Sequence, residues 1–103
     1  MPSLKEQEKE LREAAKARGL KVRNSKALAK TPYRAMNPLA AKELGMRCPK
    51  NAILLGPRAC RTKKREVMDL RHELVEVDEM RKGKPYKTAH LIANRKQRTV
   101  GVV

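Results

Sequence analysis

The chain contains no tryptophan and no phenylalanine, and Tyr33 and Tyr86 are its only tyrosines. Its core must therefore be assembled from Leu, Val, Ile, Met and Ala, which bury less area per residue than aromatic rings. A core so thin leaves marginal stability, disordered ends and support from a partner all open. Cysteine is also scarce. Cys48 and Cys60 could pair in an oxidising compartment, but without a secretion signal they read as free thiols, small apolar fillers or, far less often, metal ligands. The longest aliphatic run, Ala52-Ile53-Leu54-Leu55, is far too short to span a bilayer, and no segment sets a broad apolar face against a basic one. The opening residues MPSLKEQEKE have no apolar stretch, and Glu6, Glu8 and Glu10 do not suit an organellar presequence. The expected location is cytoplasmic or nucleoprotein-associated, not secreted, with no membrane partner.

Acidic residues are the third shortage. Eleven Asp and Glu stand against 26 Lys and Arg, a net charge of +15 at pH 7 on 103 residues. Charge of that density repels itself unless a polyanion offsets it, and nucleic acid is the commonest such partner. The few acids are also unevenly placed: Glu66, Asp69, Glu73, Glu76, Asp78 and Glu79 lie together, and both histidines, His72 and His90, lie in or just beyond that window.

The local signals predict a mainly α, small α+β fold. Ser3-Leu4-Lys5-Glu6 has capping-box spacing, and the helix formers that follow run to Gly19. Apolar positions in that helix are sparse, so weak docking or projection from the body is expected. Residues 20–34 read as a basic linker with a short helical turn near Ser25 to Ala29, broken at Thr31-Pro32. Asn37-Pro38 and Gly45 bracket a short helix. The run at 52–55, stopped by Gly56-Pro57, reads as a strand. Thr62 caps a long helix over about 63–82, Gly83 ends it, and Pro85 opens a second helix to about Gln97, so the two form an antiparallel hairpin. The tail RTVGVV could pair with the 52–55 strand as a two-stranded ribbon, or fray. The expected organisation is a basic N-terminal helix and linker over 1–34, then a small helical core with a basic tail over 35–103.

His72-Glu73-Leu74-Val75-Glu76 reads HExxE. It resembles the metal-site helix of zincin metallopeptidases, HExxH, with the second histidine replaced. The layout is also similar: a strand, a loop, the HE helix, then His90 on the following helix. The resemblance implies His72 as a zinc ligand and Glu73 as general base. Glu76 stands at the second ligand position, and His90 would serve as the third by geometry. A His2Glu set is acceptable to zinc. The competing reading is an ordinary amphipathic helix. At 100° per residue, Val67, Met68, Leu70, Leu74, Val75 and Val77 fill one half, while Asp69, His72, Glu73, Glu76 and Glu79 fill the other as a solvated face. On that reading His72 and Glu76 are merely an i,i+4 pair.

NPLAAKELGMRCPKNAILL, residues 37–55, resembles a DNA-reading helix-turn-helix, with Ala41 in the first helix and Gly45 in the turn. The resemblance implies that Ile53 and Leu54 pack a second helix while Arg47, Lys50 and Asn51 face a groove. If 51–55 is instead a strand, the motif disappears.

Basic residues cluster at Arg58, Arg61, Lys63, Lys64 and Arg65, at Lys82, Lys84 and Lys87, at Arg95, Lys96 and Arg98, and along Lys16 to Lys30. With no aromatic platform, phosphate contacts are expected rather than base stacking. These observations favour a small binding protein over an enzyme. Its partner is expected to be DNA or RNA with low sequence specificity, contacted through Arg58, Arg61, Lys63, Lys64, Arg65, Lys21, Arg23 and Lys26. No cofactor is expected on that reading. The alternatives are a zincin-like metalloprotein with zinc on His72, Glu76 and His90, and a structural part of a ribonucleoprotein or other assembly whose N-terminal helix docks a protein partner.

Overall fold

The computed structural model describes residues 2–97. In order, these form α1 (Leu4–Ala17), β1 (Lys21–Asn24), a 3-10 turn (Lys26–Lys30), β2 (Ala35–Met36), α2 (Pro38–Leu44), β3 (Ala52–Leu55), α3 (Lys63–Arg81) and α4 (Tyr86–Gln97). The fold is mainly α with a small sheet, as the local signals predict. None of these helices is long and apolar enough to cross a membrane.

The helix ends follow the sequence closely. The Ser3 hydroxyl accepts from the Glu6 amide at 3.1 Å, the Asn37 side chain from the Ala40 amide at 2.9 Å, and the Thr62 hydroxyl from the Arg65 amide at 3.1 Å. Each meets one of the amides that a helix start leaves unpaired. Gly45 and Gly83 adopt φ of 70° and 101° behind α2 and α3, a conformation that a side chain disfavours.

The sheet has order β1-β3-β2, with β1 parallel and β2 antiparallel to the central β3. Ile53 and Leu55 enter one core with Leu70, Leu74 and Val77 of α3, while Leu54 packs against a second cluster with Met36, Ala40 and Ala41. Covered on both faces, the four-residue run suits a strand, because a helix would leave one side without partners. This overturns the helix-turn-helix expectation: α2 and its Gly45 turn form, but no second helix follows. Gly56, directly after β3, sits where the backbone is closely approached. A Cβ there would lie 2.9 Å from Leu28 Cβ and 3.0 Å from the Arg34 carbonyl oxygen.

Residues 21–24, expected as linker, instead form an edge strand, and the boundary expected near residue 34 runs through the sheet. Nor does α1 project. Ala15 is fully buried, Leu11 and Ala14 pack beside it, and the small alanines let α1 lie close to α3. Arg18 then ties the two helices with a two-pronged contact to Asp78, at 2.6 and 2.7 Å. The suggested strand in the tail falls on residues 98–103, outside the described residues.

Arg58, expected at phosphate, is a structural clamp. Its Nη2 donates to the carbonyls of Leu28 at 3.2 Å and Tyr33 at 3.0 Å, and also to that of Thr31. These contacts hold the 28–33 segment against β3. Arg58→Ala should lower stability in urea by about 1–3 kcal/mol, since the carbonyls lose a charged donor. Arg58→Lys should recover less than half of that, because an ammonium lacks the planar fork.

Candidate metal centre

The long helix α3 does not turn its polar half to solvent. Its apolar stripe serves α1 and the sheet, while Asp69, His72, Glu73, Glu76 and Glu79 on the other half are also buried. They are covered because α4 packs on that side, with Arg34 and Asn37 reaching over Asp69 and Glu73. Ala89 and Ala93, four apart and fully buried, bring the α4 backbone close and carry His90 and Gln97 to the same seam. The amphipathic-face reading is therefore overturned: the hairpin interface is the polar half of α3.

At that interface the Glu76 Oε2 atom lies 2.8 Å from His72 Nε2 and 2.8 Å from His90 Nδ1, and the two nitrogens are 3.2 Å apart. Glu76 is 2% exposed and His72 8%. His72 Nδ1 donates to Gln97 Oε1 at 2.7 Å, which fixes the ring and aims Nε2 at the other two groups. Tyr86 reaches His90 Nδ1 with its hydroxyl at 3.3 Å, and burial pushes its phenol pKa up. Burial opposes a charge on His72, but the Glu76 carboxylate outweighs it and raises the imidazole pKa above its ordinary value.

The donor set fits a dication. A tetrahedral ion with ligands at about 2.0–2.1 Å would hold its ligand atoms roughly 3.3 Å apart, so these three need only open slightly. Two imidazole nitrogens and one carboxylate oxygen suit zinc or iron.

Glu73 stands beside the cluster, 5% exposed, with Oε2 4.0 Å from His72 Nε2. Burial, and then the charge on Glu76, push its carboxyl from an ordinary 4.5 to about 8. Asn37 joins the two glutamates: its Nδ2 donates to Glu73 Oε1 at 3.0 Å and to Glu76 Oε1 at 2.9 Å. The amide thus leaves Glu76 Oε2 for the histidines. A cavity of about 260 Å³ opens onto the group, walled by Pro32 to Met36 of the β2 segment, Tyr86 and Gln97. Arg34 lines it and pairs with buried Asp69 at 3.0 Å.

All four residues implied by the zincin resemblance thus meet at one place. Asn37 and Gln97 were not anticipated as part of it. Asn37 signalled only its cap; for Gln97 the available signal was its position two turns beyond His90, with Ala89 and Ala93 marking the close-packed face. The basic residues divide. Arg58 is half-buried and spent on three carbonyls, Lys63 pairs with Glu8 and Glu66, and Arg65 lies 3.6 Å from Asp69. Lys21, Arg23, Lys26, Arg61 and Lys64 are exposed.

No family model matches the chain, and no curated protein or solved structure matches it.

Proposed function

We propose that the chain is a small metalloprotein that holds a zinc-class dication on His72 Nε2, Glu76 and His90 Nδ1, with hydrolysis as its chemistry. The observation that carries this reading is the convergence of three ligating side chains from two helices on one point, with a second acidic group, Glu73, beside it. A merely structural hairpin seam has no need of two histidines and two glutamates, which cost more to bury than leucines of similar size.

Each side chain has a definable task. Gln97 holds His72 in the tautomer that frees Nε2, and Asn37 holds Glu76 by its other oxygen. The ion would supply Lewis acidity toward a carbonyl or water oxygen. Glu73, titrating near neutrality at about 8, suits a group that takes a proton and returns it. The departure from the zincin pattern is Glu76 in place of histidine, which lowers the charge of the centre and makes it a harder site.

The test is elemental analysis of protein purified without a histidine tag, before and after incubation with zinc. One equivalent of zinc, lost in His72→Ala, is expected. Substoichiometric zinc unaffected by the substitution would make the cluster a polar core only. One equivalent of iron would keep the centre and overturn the hydrolytic assignment. Glu73→Gln should keep its ion and lose about 10²–10⁴-fold in cleavage of a fluorogenic peptide pool.

A further inference from the structure

The metal centre leaves the chain's charge unexplained, and the fold arranges that charge in a way the sequence does not show. Between Ala14 and Arg65 the only acid is Glu43. The two basic runs in this stretch, Lys16 to Lys30 and Arg58 to Arg65, with 27 residues between them, meet at β1. The amide of Lys21 donates to the Asn51 carbonyl at 2.7 Å, which brings Lys50 to the start of the strand. At its other end the Cys60 thiol lies 3.7 Å from Asn24 Oδ1, which brings Arg61 alongside. Lys26 and Cys60 line the same shallow groove.

β1 is an edge strand of the sheet, at the opposite edge from the β2 segment that walls the metal cavity. Lys21 and Arg23 are exposed along it. Among the described residues the side chains of Lys21, Arg23, Lys26, Lys50 and Arg61 make no ion pair or hydrogen bond. The acids nearest this edge are already engaged, Glu8 and Glu66 by Arg12 and Lys63, and Asp69 by Arg34 and Arg65.

We infer that this edge, from Lys50 through Lys21, Arg23 and Lys26 to Arg61, is a docking surface for the phosphate backbone of a nucleic-acid duplex. Charge complementarity selects the partner's sign. A membrane surface is disfavoured because no large apolar side chain stands exposed beside the cations; among the described residues Leu91, on α4, is the one exposed large hydrophobic. A single strand is disfavoured because Tyr33 and Tyr86 line the metal cavity and offer no stacking platform here. Since the two sites lie at opposite edges, the duplex would anchor the protein and not enter the cavity.

The experiment compares the full chain with two triple variants of equal net charge, K21E/R23E/K26E at the edge and K42E/R47E/K87E elsewhere. Affinity for duplex DNA, duplex RNA, anionic vesicles and polyglutamate is measured over a salt series. The edge variant should bind duplex at least about tenfold more weakly, with a salt slope shallower by roughly 0.9 for each phosphate it no longer neutralises. The other variant should stay within about threefold of the parent. The DNA and RNA arms show which duplex is held. Equal losses in the two variants, no duplex binding near physiological salt, or a preference for vesicles or polyglutamate would each overturn the inference. Added chelator should change none of these affinities, so a failed metal centre and a failed docking surface give distinguishable results.

Discussion

Asn37→Ala is expected to lower the stability of the ion-free protein by about 3–4 kcal/mol and to weaken zinc binding roughly 10–100-fold. The side chain is fully buried and makes three hydrogen bonds. Its oxygen caps α2 at the Ala40 amide, and its nitrogen donates to Glu73 and Glu76. Truncation removes all three and leaves two carboxyl oxygens of nearly fully buried glutamates without that donor, which is where unmade bonds cost most. Asn37→Ser separates the two roles. Serine is as good a cap as asparagine, so about 1 kcal/mol should return. Its shorter side chain cannot reach the glutamates, so the loss of zinc affinity should persist. Equal zinc affinity in parent and serine variant, measured by competition with a chelator, would show that Asn37 serves the fold alone.

The same residue shows what was legible in the sequence. Asn37-Pro38 announces a helix start because capping is a local matter, settled within four residues, and the structure has that cap. Thr62 and Gly83 are legible for the same reason. The strand at 52–55 is legible from its Gly56-Pro57 stop. What stayed hidden depends on which surfaces compete for which partners. The polar and apolar halves of α3 could be drawn from the sequence, but not that α1, held by Ala15 and by Arg18 on Asp78, would join the sheet in taking the apolar half. Once it does, α4 has only the polar half left to cover, and its alanines permit the approach. β1 stayed hidden because Leu20 and Val22 are the only apolar residues among Lys21, Arg23 and Asn24, too short an alternation to stand out. Charge alone also could not separate Arg58, spent on three carbonyls, from Arg61, which faces solvent.

In the presence of a chelator the protein should become less stable as pH rises from about 5 to about 9, the reverse of the usual behaviour of carboxylates paired in a fold. Burial and the neighbouring Glu76 charge place the Glu73 pKa at about 8, against an ordinary 4.5. Between those values the folded protein holds a proton that the unfolded chain has released, so the slope of stability with pH is negative. His72 acts in the same direction. Burial opposes its charge, yet Glu76 holds its pKa above 6.5, so its contribution is complete below 6.5 and fades as pH passes the raised value. Asp78, lowered by Arg18, and Glu79, lowered by Lys84, carry the opposite sign, but their stability is lost only as pH falls below the ordinary carboxylate range. They cannot offset the loss above pH 5. Urea denaturation at a series of pH values should register a decline on the order of a few kcal/mol. Glu73→Gln, which has nothing to ionise, should flatten most of it. Saturating zinc should reverse the trend, because the ion competes with the proton held by His72 and binds more tightly as it leaves. With zinc and with chelator the two curves should therefore converge at low pH and separate as pH rises. A polar core without an ion would give one curve under both conditions.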